Sequence, residues 1–190
     1  ASQKGLMCPP GLGLVALNER AFAAAQANPA LRFYWDWVSR DGPMSYQKFC
    51  GTPPLPLLHG LAAALALLQQ EGLDAVYARH RRLAGAVHAA VAGWAEGGAL
   101  GFVAREPATR SVSVTAIRVP AGLDVDALRT LARERWQVAM AGGLGPLHGR
   151  AFRIGHLGDQ NEANILGALA GVECALRAMG VPLGDGLGRA

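Results

Sequence analysis

Apolar positions along this chain follow one period in its middle and a mixture of periods towards its end. Leu57, Leu61, Leu65 and Leu68 recur at helical spacing, and Gly72 stands where a helix takes a left-handed cap. A second helix is predicted after it, with Asp74 as N-cap and Val76, Leu83, Val87 and Val91 as its apolar face. Beyond Gly97-Gly98 strands and helices alternate: a strand over Ser111 to Val119, a helix over Asp124 to Trp136, then strands over Val138 to Ala141 and Ala151 to His156 around a glycine-rich loop. A last helix carries Asp159 and Glu162 at capping-box spacing and Ile165, Leu169, Val172 and Leu176 on one face. The expected architecture is α/β, a sheet covered by helices on one side.

The first third is less regular. Leu12 to Leu17 is a short apolar run between Pro9-Pro10-Gly11 and Asn18, which predicts a buried strand. Glu19 to Gln26 predicts a short helix ending near Asn28-Pro29. From Leu31 to Pro56 periodicity is lost while aromatics and prolines accumulate, the pattern of a functional loop or interface arm. The glycine-rich end, Val181 to Ala190, is expected to be loose.

Composition narrows the class. With 51% apolar residues over 190 positions the chain can bury a core, and no run approaches the roughly 18 apolar residues of a membrane span. A cytoplasmic protein is expected, with no membrane partner. The net charge of +4 comes from scattered arginines, with Arg79, Arg81 and Arg82 together on one helix and no continuous basic face interleaved with aromatics, so no nucleic-acid partner is expected. Cys8, Cys50 and Cys174 are odd in number and lack ligand spacing, so buried thiols are expected and no metal site. The opening Ala1-Ser2-Gln3-Lys4, without methionine or helix cap, reads as cut from something longer.

Two residues stand out chemically. Lys4 is one of only two lysines, and it precedes Gly5 and an apolar stretch expected to hold it near a domain interior. Desolvation there would favour the neutral amine that a nucleophile requires. Arg153 falls in the middle of an apolar strand, where a guanidinium is costly to bury unless it meets a carboxylate, and its fork suits bidentate capture of one. Gly142 to Gly145 lies between strands, with no following helix start or lysine, and so reads as a turn allowing close approach rather than a nucleotide loop. By strand alternation His156 faces away from Arg153 and is expected in the core or a turn. His59, His80, His88 and His148 form no ligand cluster.

Ser2-Gln3-Lys4-Gly5-Leu6-Met7 followed by Pro9-Pro10-Gly11 resembles the Schiff-base segment of class V, fold-type I aminotransferases, and in particular their alanine-glyoxylate, serine-glyoxylate and serine-pyruvate members. The resemblance continues through Thr52-Pro53, Glu71-Gly72-Leu73, Gly142 to Gly145 and Arg153-Ile154-Gly155-His156-Leu157-Gly158, in order and across nearly the whole chain. It implies pyridoxal 5′-phosphate as cofactor, Lys4 as covalent anchor and general base, and Gln3 near the cofactor phosphate. Thr52 would reach the phosphate of the neighbouring subunit's cofactor in a homodimer, and Arg153 would bind the α-carboxylate of amino acid and oxo acid alike. Some relatives have a tyrosine three residues before that threonine; here it is Phe49. The implied domains are residues 1–72, the end of a large cofactor-binding domain; 73–180, a small C-terminal domain; and 181–190, a tail.

The implied reaction is transfer of an amino group from serine or alanine to glyoxylate or pyruvate. The alternative is a non-catalytic or dimerisation module, because residues that stack on the cofactor ring and pair with its nitrogen are absent from this stretch. By itself the polypeptide is expected to be inactive.

Overall fold

A computed structural model describes all of residues 1–190, which divide into two compact units, 1–67 and 68–190. The first unit opens with a tight turn. Ser2 is fully buried, its Oγ donates to the Pro9 carbonyl at 2.7 Å and accepts from Leu12 N, and Met7 N donates to the Lys4 carbonyl. Helix α1 (Glu19–Ala27) starts because the Asn18 side chain accepts from Ala21 N, and ends at Asn28 before Pro29. Single helical turns at Phe33–Trp35 and Ser45–Lys48 flank the one-turn helix α2 (Trp37–Arg40). Helix α3 (Leu55–Glu71) follows the Pro53-Pro54 pair and stops at Gly72, whose φ of +85° suits a residue without Cβ.

The strand expected over Leu12 to Leu17 does not form. The segment makes no ladder, and Leu14 and Val15 are exposed, because every strand of the structure lies between residues 101 and 155 and this run has no neighbour to pair with. The thiols are not the buried ones expected either: Cys50 and Cys174 are exposed and Cys8 is half-buried, all three free.

In the second unit α4 (Leu73–Ala95) buries Val76, Leu83, Val87 and Val91, the face its periodicity predicts. Its cap position is Gly72, and Asp74 lies inside the first turn rather than at the cap. Four strands follow, β1 (Gly101–Phe102), β2 (Val114–Arg118), β3 (Ala141–Gly142) and β4 (Ala151–Gly155), in the antiparallel order β1-β2-β4-β3. Helix α5 (Val125–Trp136), capped by the Asp124 carboxylate, connects β2 to β3, and α6 (Glu162–Ala178) follows β4. The α6 cap is Asn161, whose side chain accepts from Asn164 N, and not Asp159.

Alternation along β2 and β4 sets the layers. Ile117 pairs with Phe152 and Thr115 with Ile154, all buried on the face where α4, α5 and α6 pack, around Trp94, Leu128, Leu169 and Leu176. The opposite face carries Arg153, whose register partners are Ala116 and Ala141. Trp94 is fully buried with its indole N–H donated to Glu173 at 2.7 Å, which removes the cost of leaving that donor unpaired.

The tail expected to be loose is docked. Val181 is buried, Leu187 N donates to Glu173, and Arg189 pairs with Glu96 through both carboxylate oxygens. Its glycines make this possible: a Cβ on Gly93 of α4 would strike the Asp185 carbonyl, and one on Gly186 would strike the Trp94 ring.

Candidate active site

Lys4 lies on the turn that Ser2 closes, with Gln3 beside it, and both side chains are exposed. The interior setting expected for Lys4 is therefore absent from this unit: the turn projects the amine outward, and Lys4 joins no ion pair. Its primary amine is the group that condenses with an aldehyde, and no carboxylate is bonded to it. Thr52, also exposed, lines a cleft with Ser39, Arg40, Tyr46, Gln47 and Phe49, just ahead of α3.

Arg153 belongs to the second unit and is half-buried. Gly143 N donates to the Ala151 carbonyl, so odd-numbered residues of the β3 segment face β4, and the carbonyls of Met140 and Gly142 point out of the free edge. Both are met by arginine: Arg129 Nε donates to Met140 O at 2.9 Å, and Arg153 Nε donates to Gly142 O at 2.8 Å. Edge carbonyls that would otherwise invite another strand thus become anchors for two guanidiniums. Arg153 forms no salt bridge, and its terminal nitrogens have no protein partner. They face a cleft lined by Arg129, Asp126, Gly142, Gly143, Leu144 and His148.

The β4–α6 loop behind Arg153 is gripped by α4. Arg79 donates through Nη1 to the Gly158 and Gln160 carbonyls and forks both carboxylate oxygens of Glu71 at 2.7 and 2.8 Å. That hydrogen bond holds the Glu71 carboxyl below its usual range. His80 Nε2 accepts from Gly158 N. His156 is buried, as its strand position predicts, with Thr115 Oγ1 at 2.9 Å and the Val112 carbonyl at 3.2 Å, and burial pushes its pKa down to about 4. It is a structural histidine.

Arg129, Asp126, Arg79 and His80 escaped the sequence reading. The Asp126–Arg129 spacing on a predicted helix is visible in the chain, but the return of Arg129 to the strand edge and of Arg79 to a loop some eighty positions away are tertiary facts.

Comparison with solved structures defines the class. The chain superposes on the crystal structure of pyridoxamine-pyruvate aminotransferase from Mesorhizobium loti with a TM-score of 0.83 at 36% identity, covering 97% of this chain and 48% of that one. The architecture is that of the fold-type I, pyridoxal-phosphate-dependent aminotransferases. The profile of the class-V aminotransferases matches residues 1–148, and the chain belongs to that family. It is 43% identical to a serine–glyoxylate aminotransferase of Methylorubrum extorquens over 98% of its length and 47% of the relative's, and 39% identical to an L-aspartate–glyoxylate aminotransferase of Paracoccus denitrificans over 98% and 46%. The chain thus spans about half the length of the curated relatives it matches. No helix is long and apolar enough to cross a membrane, and no group of three or more candidate ligands is placed to hold a metal.

Proposed function

We propose that this chain is the C-terminal half of a cytoplasmic, homodimeric, pyridoxal-phosphate-dependent aminotransferase that moves the amino group of serine or alanine to glyoxylate or pyruvate. The observation that carries this reading is Arg153, a guanidinium anchored through Nε, without a carboxylate partner, and open to a cleft. Every substrate of such a reaction, amino acid or oxo acid, carries an α-carboxylate, so one bidentate arginine serves both half-reactions. The relatives' names add that glyoxylate or pyruvate recurs as acceptor while the donor varies.

Bound pyridoxal phosphate supplies an electron sink that makes the substrate α-proton labile. Lys4 Nζ would be the covalent anchor for its aldehyde carbon and, when free of it, the base for the substrate α-proton. The Gln3 amide would hold the phosphate by N–H donation, and the Thr52 hydroxyl would do the same for the phosphate of the neighbouring subunit's cofactor. Residues 1–72 belong to the cofactor-binding domain, and 73–180, with Arg153, form the small domain.

The test uses the full-length protein loaded with cofactor. Borohydride reduction and peptide mapping are expected to place a phosphopyridoxyl mass on Lys4, and Lys4→Ala to abolish serine–glyoxylate transamination. Arg153→Lys is expected to keep the cofactor and lose at least about thirtyfold in kcat/KM, as when one partner of a hydrogen-bonded charge pair is truncated. Label on Lys48 instead, or unchanged kinetics in Arg153→Lys, would overturn the assignment.

A further inference from the structure

The cleft in front of Arg153 contains a second guanidinium, and what that group is already bonded to bears on which substrates the site admits. Arg129 reaches it from α5, fixed by Nε on the Met140 carbonyl, while Arg153 is fixed by Nε on the Gly142 carbonyl. These carbonyls are two residues apart on one strand edge, about 6.6 Å along it. The two groups reach Gly142 from opposite faces of the strand and meet at its free edge: a Gly142 Cβ, on the Phe152 face, would lie 3.3 Å from Arg129 Nη1, while Arg153 bonds the Gly142 carbonyl from the other face. Two guanidiniums so placed would suit the two carboxylates of a four-carbon dicarboxylate such as aspartate. Arg129 is not free, however: its Nη1 donates to Asp126 Oδ1 at 2.7 Å, and Asp126 lines the same cleft.

We propose that the Asp126–Arg129 pair makes this a monocarboxylate site, with Arg153 as the one guanidinium left for substrate and Asp126 opposing any second carboxylate. This rests on the transaminase reading and selects, within it, serine, alanine, glyoxylate and pyruvate over aspartate and its oxo acid. Two guanidiniums and one carboxylate line the cleft, leaving one guanidinium charge unopposed. One bound α-carboxylate neutralises it. A second would have to displace Asp126 from Arg129 or lie beside it, at the cost of an ion pair or a like-charge contact. The pair is partly exposed, so the barrier is modest: an exposed ion pair worth up to about 1 kcal/mol corresponds to at most about a fivefold preference. Asp126 and Arg129 are therefore specificity-determining residues, outside the bond-making chemistry.

The experiment compares wild type, Asp126→Asn and Asp126→Asn/Arg129→Gln as full-length holoprotein. Unreactive acetate and succinate are titrated by NMR, and kcat/KM is measured for serine and aspartate with glyoxylate. Wild type is expected to bind succinate no more tightly than acetate. Asp126→Asn should shift both the succinate-to-acetate affinity ratio and the aspartate-to-serine kcat/KM ratio two- to fivefold towards the dicarboxylate, and the double variant should lose that gain. A wild type that already prefers succinate, an Asp126→Asn ratio unchanged, or a gain that survives loss of Arg129 would each overturn the proposal. Failure of the transaminase reading would appear separately, as absent serine–glyoxylate turnover in wild type, while the binding ratio still reports on the pair.

Discussion

Residues 1–67 and 68–190 are similarly rich in apolar side chains but use them in opposite ways. In the first unit Ala64 is the only buried apolar residue, while Phe33, Tyr34, Trp35, Met44 and Tyr46 stand exposed. In the second, a continuous core runs from Leu83 through Trp94, Phe152 and Leu128 to Leu176, with both sheet and helices contributing. Hydrophobicity alone does not make a core; each apolar side chain needs a neighbouring element against which to exclude water. In the second unit the sheet and the helices pack against one another around one core. The first has helices and turns that bring few apolar side chains together, and most of these side chains stay exposed.

Separating the two regions is the largest test of that difference. Residues 68–190 expressed alone are expected to give a cooperative urea transition with fixed near-ultraviolet dichroism from Trp94. Residues 1–67 alone should give neither, since conformational entropy of about 1 kcal/mol or more per residue is not offset without burial. A sharp transition in the shorter piece would mean that its exposed aromatics collapse onto one another and that the contrast is not intrinsic to the sequence.

The same contrast governs what could be read from the chain. Where periodicity and partner are both present, as in α3, α4, α5 and α6, residues such as Leu83 and Val91 identify the buried face directly. Leu12 to Leu17 has the composition of a strand, yet a strand exists only with a neighbour, and none is available to it here. Strand β1 is two residues long and has no period to detect. For α6 the spacing to Glu162 points to Asp159 as the cap, but Asn161, two residues on, accepts from Asn164 N instead. Glycine-rich composition suggests a loose tail, whereas Gly93 leaves room for the Asp185 carbonyl and Gly186 for the Trp94 ring. Arg153 was legible as a costly charge in an apolar strand. Its anchoring to an edge carbonyl and the presence of Arg129 in the same cleft are not legible there, because tertiary hydrogen bonds leave no mark on composition.

A second test uses acid. His156 receives from Thr115 Oγ1 and donates to the Val112 carbonyl as the neutral tautomer, a state inferred from its partners. Burial, with smaller contributions from His88 and His80, lowers its pKa to about 4 against the Val112 carbonyl's opposing effect, and burial also lowers that of His88, helped by Arg110. Because the folded value lies below the unfolded one near 6.5, the unfolded chain takes up protons first as pH falls. The stability is fully present above about pH 6.5 and is lost progressively towards pH 4, by up to roughly 3 kcal/mol for His156. Urea midpoints of residues 68–190 between pH 7 and 5, above the range where carboxylates titrate, should fall, and His156→Gln should flatten that slope. An unchanged slope would place the titration elsewhere.

The smallest test is also the most direct, because the two units contain the same local device in different surroundings. Asn18 accepts from Ala21 N, and Asn161 accepts from Asn164 N, each at 2.9 Å. As isolated caps they are equivalent, each worth about 1 kcal/mol when replaced by alanine. But α1 buries none of its residues, whereas α6 buries Ile165, Leu169, Val172, Ala175 and Leu176 in the core. Fraying of α6 is therefore coupled to global unfolding and fraying of α1 is not. In urea denaturation of the 190-residue chain followed by far-ultraviolet dichroism, Asn161→Ala is expected to lower stability by about 1 kcal/mol, and Asn18→Ala by less than about 0.3 kcal/mol. Equal losses would show that α1 is cooperative with the core after all, and would make the exposed apolar surface of residues 1–67 a property of one folded body rather than of a region awaiting its neighbours.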